Sequence, residues 1–323
     1  MLGRDGWSPT CGRFLVRAKR RMGERSGKRG VDAMSAQAID STLRFRMPAE
    51  TRLASLTLRV RALESLEHFY SGLLGLGVAE RDDRRIRLAP AQGRFSLELL
   101  CDPGAPARPR GSLGLYHFAL LLPDRRSLAG VARRLLEHRW MLDGASDHGV
   151  SEALYLHDPE GNGIELYRDR PREAWPLPQG QVGMTSAPLD IDGLLATAPA
   201  AAAMHPETRF GHIHLHVGDL DEGERFYAGT LGLAVTQRTY PGALFLAAGG
   251  YHHHVGLNTW GQGRRAPDGA TGLVRYAWAL PAGAGKQLEA HLRTANAPYA
   301  VTDGALALID PAGVRVEVGE DRP

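Results

Sequence analysis

The chain is poor in cysteine, and this scarcity limits the kinds of site that it can hold. Its 323 residues include only two cysteines, Cys11 and Cys101, and neither lies in a Cys-x-x-Cys pair. We therefore expect no structural disulfide and no thiolate metal site, and a reducing, cytoplasmic location. Any metal must be bound by histidine and carboxylate side chains, and the chain has 13 histidines.

Long apolar runs are also missing. No segment approaches the ~20 consecutive apolar residues that a membrane-spanning helix requires, so no membrane association is expected. The content of hydrophobic residues is 43% and that of charged residues 23%, as in globular proteins. The length is sufficient for two domains.

Net positive charge is confined to the N-terminal segment. Residues 1–46 carry eleven Lys or Arg and four acids, a net +7, so the remainder carries −4 of the formal +3. A mildly acidic body argues against a nucleic-acid partner. Residues 1–47 are rich in Gly, Arg and Ser without periodicity, and are predicted to be a disordered basic tail.

Internal repetition is the most informative feature that is present. Phe69-Tyr70 and Leu74-Gly75-Leu76 recur as Phe226-Tyr227 and Leu231-Gly232-Leu233, at an offset of 157 residues. Each copy begins with an alternating apolar run, which predicts a strand, and continues into a helix that ends at Leu-Gly-Leu.

A second pair of segments repeats in another way. GLYHFALLLP at 114–123 matches GLVRYAWALP at 272–281, and the DPxG turns at 158–161 and 310–313 are each followed by a glutamate. Helices are predicted at 125–138 and 284–295. The chain is thus predicted to be an α+β protein of four βαβββ modules, near 50–102, 112–170, 209–259 and 271–319.

These modules resemble the vicinal oxygen chelate (VOC) superfamily, which includes glyoxalase I, bleomycin-resistance proteins and type I extradiol dioxygenases. The resemblance covers residues from about 50 to 320. It implies two VOC domains of two modules each, at 48–170 and 209–320, joined by a Pro/Ala/Gly-rich linker at 171–208. Within the superfamily, the motifs around 144–171 and 249–260 are most similar to those of Bacillus-type catechol 2,3-dioxygenases.

The resemblance also implies where metal ligands lie, on the first strands of paired modules and on a last strand. The residues at these positions are Ser55, His117, Glu165, His212, Arg275 and Glu317. Pairing in chain order gives two incomplete ligand sets. Pairing of module two with module three instead gives His117, His212 and Glu165, which is a complete set for Fe(II), with Mn(II) as the alternative.

Three further residues are implied for an extradiol dioxygenase. Tyr155 and His148 precede Glu165 by 10 and 17 residues, and would bind the substrate oxygens. His254 of the run Tyr251-His252-His253-His254 would act as an acid or base on the O2 side, with His252 in reserve. Strand alternation would place His252 and His254 on one face and His253 on the other.

The function predicted from this resemblance is type I extradiol cleavage of a catechol-like diol by O2. A metal-dependent isomerase or transferase of the glyoxalase type, and a metal-free binding or resistance protein, are the alternatives. The expected partners are a small aromatic diol and O2, and association into a homo-oligomer is allowed.

Overall fold

The computed structural model describes residues 45–91, 94–178, 181–199 and 204–321. The predicted disordered tail at 1–47 falls almost entirely outside the described residues. The strands are β1 Arg52–Val60, β2 Gly77–Arg81, β3 Arg85–Ala89, β4 Ser96–Cys101, β5 Gly114–Leu121, β6 Gly144–Asp147, β7 Ser151–His157, β8 Gly163–Asp169, β9 Ala187–Pro188, β10 Arg209–His216, β11 Ala234–Gln237, β12 Ala243–Ala247, β13 Val255–Asn258, β14 Gly272–Leu280, β15 Ala300–Thr302, β16 Ala305–Ile309 and β17 Arg315–Glu320. The α-helices are α1 Leu63–Glu67, α2 Arg125–Glu137, α3 Ile191–Leu195, α4 Leu220–Glu224 and α5 Ala284–Thr294.

The prediction of four βαβββ modules in an α+β fold is confirmed. Each module runs strand, helix and three strands, beginning at β1, β5, β10 and β14. In the first and third modules the helix continues into a π-helical turn, His68–Leu73 and Arg225–Thr230. The glycine of each Leu-Gly-Leu motif follows with a positive φ, 83° at Gly75 and 81° at Gly232, as expected beyond a helix C-terminus.

Two sheets organise these modules, and each sheet takes strands from both halves of the chain. The order in one sheet is β15-β16-β17-β14-β1-β4-β3-β2, and in the other β11-β12-β13-β10-β5-β8-β7-β6-β9. Module one therefore shares a sheet with module four, and module two shares a sheet with module three. This is the second of the two pairings allowed by the sequence. The boundaries at 48–170 and 209–320 stay a prediction, because strand pairing does not define independently folding units.

The repeated tyrosines connect the modules in the other combination. The hydroxyl of Tyr70 in module one donates to Asp158 in module two at 2.8 Å. The hydroxyl of Tyr227 in module three donates to Asp310 in module four, also at 2.8 Å. All four residues are buried, and burial raises the pKa of Asp310 to about 6. The Phe-Tyr and Asp-Pro motifs thus share one structural role.

None of the helices in the described part of the chain has the length and apolar composition that crossing a membrane would require.

Loss of one of these hydroxyl contacts should destabilise the protein. In Tyr227→Phe the buried Asp310 keeps only the longer 3.3 Å contact to the Tyr276 hydroxyl and its backbone donors. An under-satisfied buried acceptor costs about 1–3 kcal/mol, so we expect a loss of that size in the free energy of unfolding by urea. Tyr299→Phe, which removes a partly exposed hydroxyl, is the control and should change it by less than about 0.5 kcal/mol. Equal effects of the two substitutions would contradict the role of the Tyr–Asp contact.

Candidate functional site

Three side chains converge because their strands are neighbours in one sheet. His117 lies on β5, Glu165 on β8 and His212 on β10. Ala119 of β5 pairs with His212 in the antiparallel ladder on one side and with Glu165 in the parallel ladder on the other. His117 stands two residues before Ala119, so its side chain points to the same face of the sheet.

The two imidazoles approach the same carboxylate oxygen. Nε2 of His117 lies 3.1 Å from Oε2 of Glu165, and Nε2 of His212 lies 3.0 Å from that atom. One ligand atom from each residue falls within 4.8 Å of the others. The exposed fractions are 5% for His117, 3% for Glu165 and 1% for His212, so all three side chains are buried.

The protonation states suit metal binding. Burial lowers the pKa of His212 to about 4, so this imidazole is neutral near pH 7. Burial alone would raise the pKa of Glu165, but the nearby imidazoles of His212 and His117 outweigh it and hold that pKa well below its usual range. A metal requires deprotonated donors, and His212 and Glu165 are in that form near pH 7.

The residues present fit a divalent metal. Although Nε2 of His117 is buried and close to Glu165, it makes no hydrogen bond. Two neutral imidazoles and one carboxylate form the donor set that leaves positions open for substrate on non-haem Fe(II). Gly163, which pairs with His117 across the ladder, allows this approach, because a Cβ there would lie 2.2 Å from the carbonyl oxygen of Tyr116.

A cavity of about 230 Å³ opens beside His117 and Glu165. One wall is apolar and mainly aromatic, and is formed by Tyr116, Met184, Tyr240, Phe245 and Trp260. The polar wall is formed by Ser146, His148, Ser151, Tyr155, Thr185 and Ser186. His214 and His253 complete it, and no lysine or arginine is among the described residues that line it.

His148 and Tyr155 lie together on this cavity. Nε2 of His148 is 2.7 Å from the hydroxyl of Tyr155, and Nδ1 is 2.6 Å from the carbonyl oxygen of Thr185. Tyr155 is the cross-strand neighbour of Glu165. Burial and the charge of Glu165 raise the pKa of Tyr155 well above 10, so its phenol stays protonated and can donate.

His254 does not line the cavity. Its Nδ1 accepts from the backbone N–H of Ala248 at 3.2 Å, and its ring faces Tyr251 and Trp278. Burial, followed by the neighbouring histidines, lowers its pKa to about 3. It therefore packs toward β14 of the other sheet as a neutral side chain.

His253 lies on the cavity instead, with its ring centroid 4.0 Å from that of His212. Strand alternation predicts that His253 faces away from His252 and His254, and this separation agrees with the cavity lining. The prediction of His254 instead of His253 came from the choice of the wrong face, because β13 begins only at Val255 and the short run before it does not show which face meets the cavity. The adjacency of the three histidines was the available signal, but it could not tell which one faces inward.

The segment at 171–208 contributes to the site where it is described. Met184, Thr185 and Ser186 line the cavity, and β9 pairs with β6. Its composition predicted a linker and gave no sign of these contacts, because they are made by irregular backbone.

The other sheet holds an equivalent position without a metal-ligand set. Ala277 pairs with Ser55 and with Glu317, just as Ala119 pairs with His212 and Glu165. Arg275 stands where His117 stands in the other sheet. Its guanidinium donates to Glu98 at 2.8 Å and lies 3.5 Å from Glu317, so the positive charge of an arginine side chain occupies this position.

Comparisons with known proteins agree with this architecture. The sequence profile of the Glyoxalase/Bleomycin resistance protein/Dioxygenase superfamily matches residues 52–166 and 209–318. The chain belongs to this superfamily. It is 42% identical over 273 residues to catechol-2,3-dioxygenase of Bacillus subtilis (strain 168), with 81% of this chain and 94% of that protein covered.

More distant relatives share the fold. The chain is 28% identical over 167 residues to biphenyl-2,3-diol 1,2-dioxygenase 3 of Rhodococcus globerulus, covering 50% of this chain and 88% of that one. A solved structure from Bacillus subtilis subsp. subtilis str. 168, described as a dioxygenase, superposes with a TM-score of 0.63 at 16% identity and 87% coverage of both chains. Glyoxalase I from Zea mays superposes with a TM-score of 0.54 at 18% identity, covering 84% of this chain and 92% of that one.

Removal of one ligand should abolish tight metal binding. We expect His212→Ala and Glu165→Gln to bind Fe(II) or Mn(II) at least about tenfold more weakly than the parent, as measured by metal content after dialysis and by the metal-dependent rise in melting temperature. His216→Ala is the matched control, because His216 is a nearby buried histidine that bonds Asn258 at 2.6 Å. Metal loss in the control alone, or in none of the variants, would rule out this ligand set.

Arg275 should contribute to stability but not to metal binding. Arg275→Ala leaves Glu98, which is 8% exposed, without its 2.8 Å partner, and such a loss costs about 1–3 kcal/mol. We expect a lower free energy of unfolding in urea and an unchanged metal content. Reduced metal content in this variant would show that metal binding depends on the sheet that contains Arg275 as well.

Proposed function

We propose that this protein is a type I extradiol dioxygenase that cleaves an uncharged, single-ring catechol-like diol with O2. The observation that carries the proposal is the convergence of His117, Glu165 and His212 beside a cavity whose wall presents His148 and Tyr155. The 42% identity to a catechol-2,3-dioxygenase over 94% of that protein supports the same reaction class.

Fe(II) is the proposed metal, with Mn(II) as the alternative, and His117, His212 and Glu165 are the proposed ligands. When bound, such a metal supplies Lewis acidity and a route for electrons between the diol and O2. The ligand set provides one negative charge, so a divalent ion keeps a net positive charge that favours a deprotonated diol oxygen.

His148 and Tyr155 are proposed to bind the substrate. Their 2.7 Å contact places two polar groups at one point of the wall, where either can be exchanged for a hydrogen bond to a diol oxygen. The neutral phenol of Tyr155 can donate to a diolate oxygen, and His148 is fixed at its other nitrogen by Thr185. These contacts orient the ring before reaction, which accounts for part of the rate increase.

The size and polarity of the cavity favour a small neutral diol. Its volume of about 230 Å³ lies below the ~300–1,000 Å³ typical of sites for drug-sized ligands. A carboxylate on the ring would be buried without a cationic partner, at a cost of several kcal/mol. The wall formed by Phe245 and Trp260 instead suits an apolar ring.

His253 is proposed for the proton-transfer role that the sequence analysis assigned to His254. It lies on the cavity and beside His212, whereas His254 packs against Trp278. An imidazole at this point can hold a proton from the diol and return it during ring opening. Both oxygen atoms enter the product, so catechol and O2 yield a hydroxymuconic semialdehyde, with no further reductant required. A cytoplasmic location is part of this proposal and rests on the low cysteine content.

Aerobic turnover of catechol tests the proposal. Full-length protein loaded anaerobically with Fe(II) should form the yellow ring-cleavage product and consume one O2 per catechol. His253→Gln and Tyr155→Phe should lower kcat/KM by about 10²–10⁴-fold, because each removes a group that handles a proton or a diol oxygen. His254→Gln is the matched control and should retain activity within about threefold.

Other outcomes would redirect the assignment. Metal binding without O2 uptake for any diol would reject the dioxygenase and favour an isomerase or transferase. Absence of metal binding would favour a binding protein. Loss of activity in His254→Gln with full activity in His253→Gln would assign the proton-transfer role to His254.

A further inference from the structure

A chain of hydrogen bonds connects the cavity with a second groove, at the end of β8. Nδ1 of His253 lies 2.8 Å from Nδ1 of His252, and Nε2 of His252 lies 2.9 Å from Oδ1 of Asp169. Asp169, the last residue of β8, borders this second groove, and its side chain is 24% exposed. His252 is fully buried between these two ends.

The environment of His252 holds it in this orientation. Its ring packs 4.0 Å from that of Tyr251 and 5.2 Å from that of Trp175. The hydroxyl of Tyr251 also donates to Asp169, at 3.0 and 3.1 Å from the two carboxylate oxygens. The carboxylate of Asp169 therefore accepts hydrogen bonds from both Tyr251 and His252, and the contact with Tyr251 helps to fix its orientation.

The chemistry of these groups fixes the direction of the hydrogen bonds. An ionised carboxylate can only accept, so Nε2 of His252 must donate to Asp169. In a neutral imidazole the other nitrogen is then an acceptor, so Nδ1 of His252 accepts from Nδ1 of His253. The remaining nitrogen of His253, Nε2, is left with a lone pair.

We propose that Asp169 and His252 are positioning residues that hold His253 in the tautomer whose Nε2 lone pair is available to the cavity. This inference rests on the proposed function for its catalytic meaning, although the tautomer itself does not depend on turnover. Neither Asp169 nor His252 lines the cavity, so both act through His253. A lone pair at this nitrogen can accept a proton from the substrate, whereas the opposite tautomer could only donate.

Histidine nitrogen NMR tests the tautomer directly. Full-length protein labelled with ¹⁵N-histidine, with and without diamagnetic Zn(II), gives long-range ¹H–¹⁵N correlations that distinguish Nδ1–H from Nε2–H rings. His252→Gln and His253→Gln assign the two rings. We expect His253 protonated at Nδ1 and His252 protonated at Nε2, and mixed tautomers for both in Asp169→Ala.

Asp143→Ala is the matched control, because Asp143 pairs with the exposed His157 at 2.5 Å and lies outside the cavity lining. It should change the spectrum of His157 and leave His252 and His253 as in the parent. With Fe(II), Asp169→Ala should lower kcat about 10- to 100-fold, with less than about a twofold change in KM for catechol.

Two results would overturn the inference. One is a parent spectrum in which His253 carries its proton on Nε2. This result would contradict the proposed tautomer even if Asp169→Ala does not fold. The other is an Asp169→Ala spectrum identical to that of the parent. An inactive parent with the expected tautomers would reject the proposed function and leave the hydrogen-bond assignment intact.

Discussion

The antiparallel ladder between β5 and β10 is the contact on which the candidate site depends. It sets His117 and His212 on one face of a sheet, and the parallel ladder between β5 and β8 then places Glu165 beside them. Backbone hydrogen bonds fix these positions more firmly than a loop could. A shift of one residue in the β5–β10 register would turn the side chains of one strand to the opposite face. The convergence of these three candidate ligands therefore follows from the register of the strands.

The two sheets solve the same electrostatic problem in different ways. Both place a glutamate next to an alanine of a central strand, and both need positive charge nearby. In one sheet the guanidinium of Arg275 supplies it permanently. In the other, the imidazoles of His117 and His212 lie beside Glu165, and the three side chains form a candidate site for a divalent metal. The same backbone arrangement therefore holds an ion pair in one sheet and a candidate metal site in the other.

Much of the fold could be predicted because its determinants are local. Apolar alternation, the Leu-Gly-Leu motifs and the Asp-Pro turns each depend on a few neighbouring residues. The partner of each module could not be predicted from periodicity, because periodicity identifies strands without identifying their neighbours. Only the completeness of the ligand set favoured the pairing of modules two and three, which the sheet order shows.

The inner surface of the cavity was less predictable, because irregular backbone forms much of it. His253 lies just before β13, and alternation separates it from His252 and His254 without showing which face meets the cavity. Thr185, which fixes His148, belongs to a segment whose composition indicated only a linker. His148 and Tyr155 were identified from the resemblance to extradiol dioxygenases, and both flank or belong to the regular hairpin of β6 and β7 that leads to Glu165.

The crossed connections of the four modules also bear on how the chain reaches its native state. The β1–β14 ladder joins positions as distant as Thr57 and Arg275, which are 218 residues apart, while the Tyr70–Asp158 and Tyr227–Asp310 contacts tie sequential modules together. Contacts of such long sequence separation slow folding, because the entropy of loop closure is lost before they form. During synthesis, the edge of β1 that pairs with β14 stays unpaired until β14 has left the ribosome. Formation of the two interlocked sheets therefore includes a long interval in which the edge of an apolar strand is exposed and can pair with other chains.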